Sequence, residues 1–352
     1  MSLVIEFARD IALGERDTVL IAGGEALRNQ KQILRASEVP QWAETLDTPM
    51  EERPAVDSRL VTWQELAAGP PMPMHLYTYI EQARRHKQGL DQADYKRGMA
   101  ELLLKFNAVA QNNDYAQFAD DHSVESLLEA NTLTHLYTSR MVAQDNVNQA
   151  AALLLTSVGR ARELGIPEKR WVFLHGAAEG EDLVLSERED LSESPMAGMV
   201  ARRALDIAGL DAGDICAWDI YSCFPCAVTA ITDALGLPTD GSLPLTLTGG
   251  LPFFGGPGNN YSMHGLAEAV WRCRQTPEEY TAVTANGGFL SKHATGVFSC
   301  RPRALDWQTL ETKIDNGQLP RKPLAKNPDT GTISTYAIAY RKGQPVNAMV
   351  LG

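Results

Sequence analysis

Between residues 171 and 300, short apolar runs alternate with helix-forming segments, and this alternation most limits what the chain can fold into. WVFLHGAA (171–178) reads as a buried strand. Ser194 is placed as an N-cap with Pro195 at the first helical position, opening a helix to Ala208 that Gly209 closes. ICAWDIY (215–221) is a second strand, followed by a helix from Pro225 to about Gly236. LTLTGG (245–250), a helix from about Met263 to Arg274 and the strand YTAVTA (280–285) complete the series. Strands and helices repeating at this spacing imply an α/β fold with a mostly parallel sheet covered on both faces.

The flanks differ in pattern. LVIEFARDIAL (3–13) has apolar residues at helical spacing, Gly14 ends it, and TVLIAGG (18–24) is a strand. An apolar opening helix leads us to expect that further chain precedes Met1. Residues 28–140 are more polar, with amphipathic helices near 76–88 and 92–109 and the punctuation GPPMPM at 69–74, and read as an inserted helical loop domain. NQAAALLLTSVGRAREL (148–164) is expected as a helix ending at Gly165. From Arg301 a polar stretch leads to TISTYAIAY (332–340), the turn RKGQ and PVNAMVL. These form a hairpin that either docks elsewhere or begins a further module.

Charge and cysteine usage narrow the function classes. A net charge of -12 argues against a broad nucleic-acid surface, though not against a small basic pocket. No run approaches the ~18 apolar residues of a membrane span. Glu6 and Asp10 interrupt the apolar N-terminus, unlike a signal peptide. The five cysteines lack a disulfide-framework spacing, which points to a reducing cytoplasm.

Four loops follow strand ends, where open α/β sheets place their sites. AGGEALRNQ (22–30) reads as a strand-to-helix turn. In YSCFPC (221–226), Cys223 precedes a helix start, which lowers thiol pKa; a reactive or ligand-contacting thiol, a dithiol and buried apolar cysteines all remain open. Zinc would need a second ligand pair, and the sequence has none, so no metal is expected. TGGLPFFGGPGNNYSMH (248–264) is a glycine-rich loop in which Gly250, Asn259 and Asn260 are placed to line a ligand, with His264 at the start of the next helix. In NGGFLSKHATG (286–296), Asn286 and Gly287 offer amide donors to an oxyanion and His293 a base, while NGG also suits a hairpin turn.

Taken together, these segments resemble the thiolase superfamily over roughly residues 3–300. IALGERDTVLIAGGEAL resembles the helix and strand after the nucleophilic cysteine, and DNVNQAAALLLTS the point where the loop domain rejoins the first half. DICAWDIYSCF sits at the Asn-Glu-Ala-Phe or His-Asp-Cys-Phe loop, LTGGLPFFGGPG at the Gly-His-Pro loop and VTANGG at Cys-x-Gly-Gly. YSCFP, GGPGNNY and the Lys-His-Ala segment are similar to the sterol-carrier-like, thiolase-like proteins labelled acetyl-CoA acetyltransferase, which bear an additional C-terminal domain.

The resemblance implies a layered α-β-α fold with mixed and parallel sheets. Residues 1–27 and 141–185 would be the remainder of an incomplete N-terminal half, 28–140 the loop domain, 186–300 the C-terminal half and 301–352 the start of a C-terminal β domain. It also places the standard cysteine before Met1, Gly256 at the catalytic histidine, Ala285 at the second cysteine and Tyr221 at the Asn or His of the first loop. Each standard catalytic position is therefore absent or replaced. A rearranged site would use Cys223, His264 and His293 as catalytic residues, with Tyr221, Phe224, Gly250, Asn259, Asn260, Asn286 and Gly287 around the substrate. The implied partners are CoA or acyl-CoA, as substrate or ligand rather than cofactor, and a second copy or a partner subunit. The alternative is a non-catalytic CoA- or acyl-binding module, or an inactive fragment.

Overall fold

The computed structural model describes residues 1–42, 44–45, 47–48, 59–67, 72–323, 325 and 329–352. Residues 69–71 of the expected GPPMPM punctuation lie outside them.

The first half contributes a helix, α1 (Ser2–Ala12), and a strand, β1 (Thr18–Glu25). Next come α2 (Leu27–Arg35), α3 (Trp63–Ala67), α4 (Pro73–Gln88), α5 (Gln92–Ala110) and α6 (Val124–Leu128). Helix α4 takes Pro73 in its first turn and ends on Gly89 in the left-handed region, φ 65°. Helix α5 is capped by Asp91, whose side chain accepts from the Asp94 amide. Both match the expected amphipathic segments.

Residues 148–164 depart from expectation. They form a strand, β2 (Gln149–Thr156), and a short helix, α7 (Val158–Glu163), that Ser157 caps. An apolar run such as AAALLL cannot be assigned by periodicity alone. Here the cross-strand partner decides: β1 and β2 pair antiparallel over their whole length, from Thr18↔Thr156 to Glu25↔Gln149.

The second half carries the larger sheet. Its elements are β3 (Phe173–Glu181), α8 (Pro195–Ala208), β4 (Ile215–Asp219), α9 (Pro225–Leu235), α10 (Tyr261–Gln275), β5 (Tyr280–Gly287) and β6 (Lys292–Ser299). The tail adds β7 (Lys313–Ile314), β8 (Thr335–Arg341) and β9 (Gln344–Leu351). Strand order is β4-β5-β6-β3-β7. The outer pairs β4–β5 and β3–β7 are parallel, and the central ladders β5–β6 and β6–β3 are antiparallel. The sheet is thus mixed rather than mostly parallel, because the NGG segment turns a tight β5–β6 hairpin instead of leading into a crossover helix.

Residues 245–250 are not a strand. Asp219, fully buried at the end of β4, gathers them into a turn: its Oδ2 accepts from the amides of Leu247 (2.8 Å) and Thr248 (3.0 Å) and from the hydroxyls of Thr246 and Thr248. Gly249, φ 103°, is required there, since a Cβ would lie 2.5 Å from the Ala110 backbone.

The β8–β9 hairpin docks rather than standing alone. Ala339 bridges to Thr134, and the Thr335 hydroxyl donates to the Tyr79 carbonyl of α4 at 2.7 Å. One core joins α4, α5, α8 and α9 to this sheet, with Phe106, Met196, Trp218 and Phe253 among its buried side chains. Among the described residues, no helix is long and apolar enough to cross a membrane.

Candidate functional site

The two strands of the central hairpin bring Asn286 and His293 together, since they are direct partners in the β5–β6 register. Side chains directly opposite in an antiparallel pair share one face, with Cβ atoms about 5 Å apart. On this face α9 begins with Phe224 as N-cap residue and Pro225 in the first turn, which sets Cys223 against the sheet. The Asn286 amide Nδ2 donates to Cys223 Sγ at 3.6 Å and to the Tyr77 hydroxyl at 2.8 Å. Its Oδ1 is buried and has no hydrogen-bond partner among the described residues. Tyr77, on α4, stacks on Phe224 with ring centroids 4.2 Å apart.

Tyr221, Ala227, Ile231, Ala285, Asn286 and His293 line a narrow crevice with a cavity volume of about 10 Å³. Its interior has room for about one water. The crevice floor is shaped by Leu290, whose φ of 54° is rare for a leucine. Its N–H donates to the Tyr77 hydroxyl (3.0 Å), and its carbonyl accepts from Arg188 and His293 Nε2.

Burial controls the protonation of these groups. The Cys223 thiol, expected to be acidified by the helix start, is instead pushed up to about 11, because burial outweighs the hydrogen bonds from Tyr77 and Asn286. Burial also lowers His293 to about 4, with Arg188 adding to this and Asp182 opposing it. At neutral pH the site therefore holds a neutral thiol and a neutral imidazole.

The remaining expected residues are distributed more widely. His264, on α10, lies against Phe254 with ring centroids 5.2 Å apart, is lowered to about 4 by burial, and has its Nε2 buried without a partner among the described residues. It is not among the residues that line the crevice of His293. Gly250 is packing-limited: a Cβ there would meet Ser222 Oγ at 2.7 Å and the Phe106 ring at 2.6 Å. Asn260 ties its loop to β1 by donating to the Gly23 carbonyl (2.7 Å), while Asn259 is exposed. The Gly287 carbonyl accepts from the Ser291 amide in the hairpin turn. Among the described residues, no group of three or more His, Cys, Asp or Glu is placed to hold a metal.

Gly256, where the resemblance puts the catalytic histidine, is closely packed. Its amide donates to the Gln144 carbonyl (2.7 Å), and a Cβ would lie 3.2 Å from that oxygen and 3.4 Å from Ala143 Cβ. Residues 143–144 pack against this position. Tyr77 was invisible in the sequence, because nothing local distinguishes it from other aromatics on an amphipathic helix.

No protein-family model matches the chain. Among solved structures it is similar to a monomeric SCP2-thiolase-like protein type 1 from Mycobacterium smegmatis, with 38% identity and a TM-score of 0.81, over 96% of this chain and 69% of that one. It shares its fold with an Ltp2-ChsH2(DUF35) aldolase, at 19% identity and TM-score 0.65, over 85% of this chain and 76% of that one. An acetyl-CoA acetyltransferase from Methanothermobacter thermautotrophicus is 25% identical over 213 residues, 56% of this chain and 54% of that protein. The chain thus spans about half the length of the curated relative it matches.

Proposed function

This chain belongs to the SCP2-thiolase-like proteins of the thiolase superfamily, and from that membership we propose that it handles acyl-CoA thioesters by acyl transfer at a rearranged site. The observation that carries this reading is the amide of Asn286, which donates to Cys223 Sγ and stands opposite His293 on the same crevice wall. In the proposed reaction the Cys223 proton passes to His293, through a water in the crevice. The thiolate then attacks the thioester carbonyl, and CoA leaves as its thiol by taking that proton back. An acceptor nucleophile then attacks the Cys223 thioester and gives its proton to His293; the C–S bond breaks, and the Cys223 sulfur takes that proton back as the free thiol. Asn286 Nδ2 donates to the sulfur as it gains charge, and the unfilled Oδ1 offers an acceptor to a ligand N–H.

A second reading, thioester binding without turnover, is favoured by the protonation state. A thiol at about 11 and an imidazole at about 4 put the thiolate–imidazolium pair about 10 kcal/mol above the neutral pair, before their mutual attraction is counted. Calorimetry with CoA and acetyl-CoA, run beside a turnover assay on the wild type and Cys223→Ala, separates the two. Turnover lost in Cys223→Ala supports acyl transfer; binding with no turnover selects the module; absence of binding removes both. A second copy or a partner subunit also belongs to this proposal, and light scattering of the purified chain reads it out.

A further inference from the structure

His293 is held on one side by a chain of groups that ends in a carboxylate. Its Nε2 lies 3.2 Å from the Leu290 carbonyl and 3.2 Å from Ser194 Oγ. A carbonyl only accepts, so Nε2 carries the hydrogen of the neutral ring. The Ser194 hydroxyl spends its own proton on Asp182 Oδ2 at 2.8 Å, so its oxygen faces both Nε2 and the Ala197 amide as an acceptor. Asp182 is fixed in turn by the Leu183 amide (2.7 Å) and by Arg188 Nε at 3.7 Å. Arg188, Ser194 and Asp182 are all buried.

We propose that Asp182 and Ser194 are positioning residues that hold His293 as its Nε2–H tautomer, leaving Nδ1 as the base on the ring that lines the crevice. The inference rests on the acyl-transfer reading for its purpose, but not for its geometry. Ser194 already serves as N-cap of α8, and Gly180 stands opposite His293 on β3, where a Cβ would press to 2.6 Å from Met196 Sδ. The helix start that carries Ser194 is thereby seated over the histidine. An imidazolium formed at Nδ1 keeps its Nε2–H bonds to Leu290 and Ser194, with the Asp182 charge one hydroxyl away.

The test is the tautomer itself, read by ¹⁵N-histidine NMR on the whole chain without substrate. The wild type should show His293 as a single Nε2–H form at neutral pH. Ser194→Ala and Asp182→Asn should each let the Nδ1–H form become populated, with about a tenfold loss of preference, and Ser194→Thr should restore it. Should Ser194→Ala fail to fold for want of its cap, Asp182→Asn carries the same test with the cap intact. An Nδ1–H ring in the wild type overturns the proposal. So does a tautomer unchanged in both variants, because the Leu290 carbonyl alone would then orient the ring. If the tautomer responds as stated while the wild type shows no acyl transfer, the functional reading fails and the positioning stands.

Discussion

Asn286 and His293 face each other across the β5–β6 ladder, and the amide of the first reaches Cys223 Sγ at 3.6 Å. Three side chains far apart in chemistry are thus gathered by one hairpin and one helix start. Asn286→Ala removes one of the two side-chain donors to that sulfur, Tyr77 being the other, so acyl transfer should fall about 10- to 100-fold. Loss of the neutral hydrogen bond to Tyr77 should cost about 1 kcal/mol of stability, measured by urea denaturation. Turnover equal to wild type would remove Asn286 from the site.

Restoring a histidine at position 256 should not restore thiolase chemistry. A Cβ at 256 would already press to 3.2 Å from the Gln144 carbonyl and 3.4 Å from Ala143 Cβ, before any ring is added. Gly256→His is expected to gain no turnover and to lose about 1–3 kcal/mol through overpacking. A gain in acetyl-CoA thiolysis would show that the 143–144 segment yields.

Asp219 acts on the fold rather than on chemistry. Its Oδ2 holds four donors of the 246–248 turn, so Asp219→Ala takes the acceptor from the Leu247 and Thr248 amides, while the Thr246 and Thr248 hydroxyls keep each other and Tyr261 as partners. The expected loss is about 3 kcal/mol or more in denaturation experiments. Asp219→Asn, which keeps an acceptor, should lose less.

Stability should fall on mild acidification. His135, His175, His264 and His293 are all buried and held at about 4, chiefly by burial, against about 6.5 for an unfolded histidine. The unfolded chain therefore binds protons first as pH falls, so this stability is complete above about 6.5 and is lost between there and about 4. Each histidine accounts for at most about 3 kcal/mol. Glu81 and Asp219, raised by burial, act in the opposite sense at the acid end. His264→Phe, which removes a buried unpaired nitrogen, should flatten the urea midpoint between pH 7 and 5; an unchanged slope would contradict the assignment.

Much of the second half was legible in the sequence because its signals are local. Ser194, Pro195 and Gly209 delimit α8 by capping chemistry alone, and Pro225 and Gly236 do the same for α9. What failed depends on partners distant in sequence. β2 reads as a helix until β1 pairs with it, and the 245–250 segment reads as a strand until Asp219 folds it back. The site was half legible. The cysteine, amide and histidine of the hairpin face are motif residues, but their protonation follows from burial, which reversed the expectation for Cys223. Tyr77, Ser194 and Asp182 reach them only through tertiary packing, and His264 lies outside the crevice lining for the same reason.

Acyl transfer at this site requires Cys223 to take up an acyl group from CoA. Incubation of the full chain with acetyl-CoA, followed by a rapid acid quench and peptide mass spectrometry, tests it directly. An acetyl thioester is expected on the peptide that carries Cys223, labile to hydroxylamine, absent in Cys223→Ala and reduced in Asn286→Ala. Acetyl-CoA bound at saturation with Cys223 unmodified, or turnover undiminished in Cys223→Ala, would contradict it.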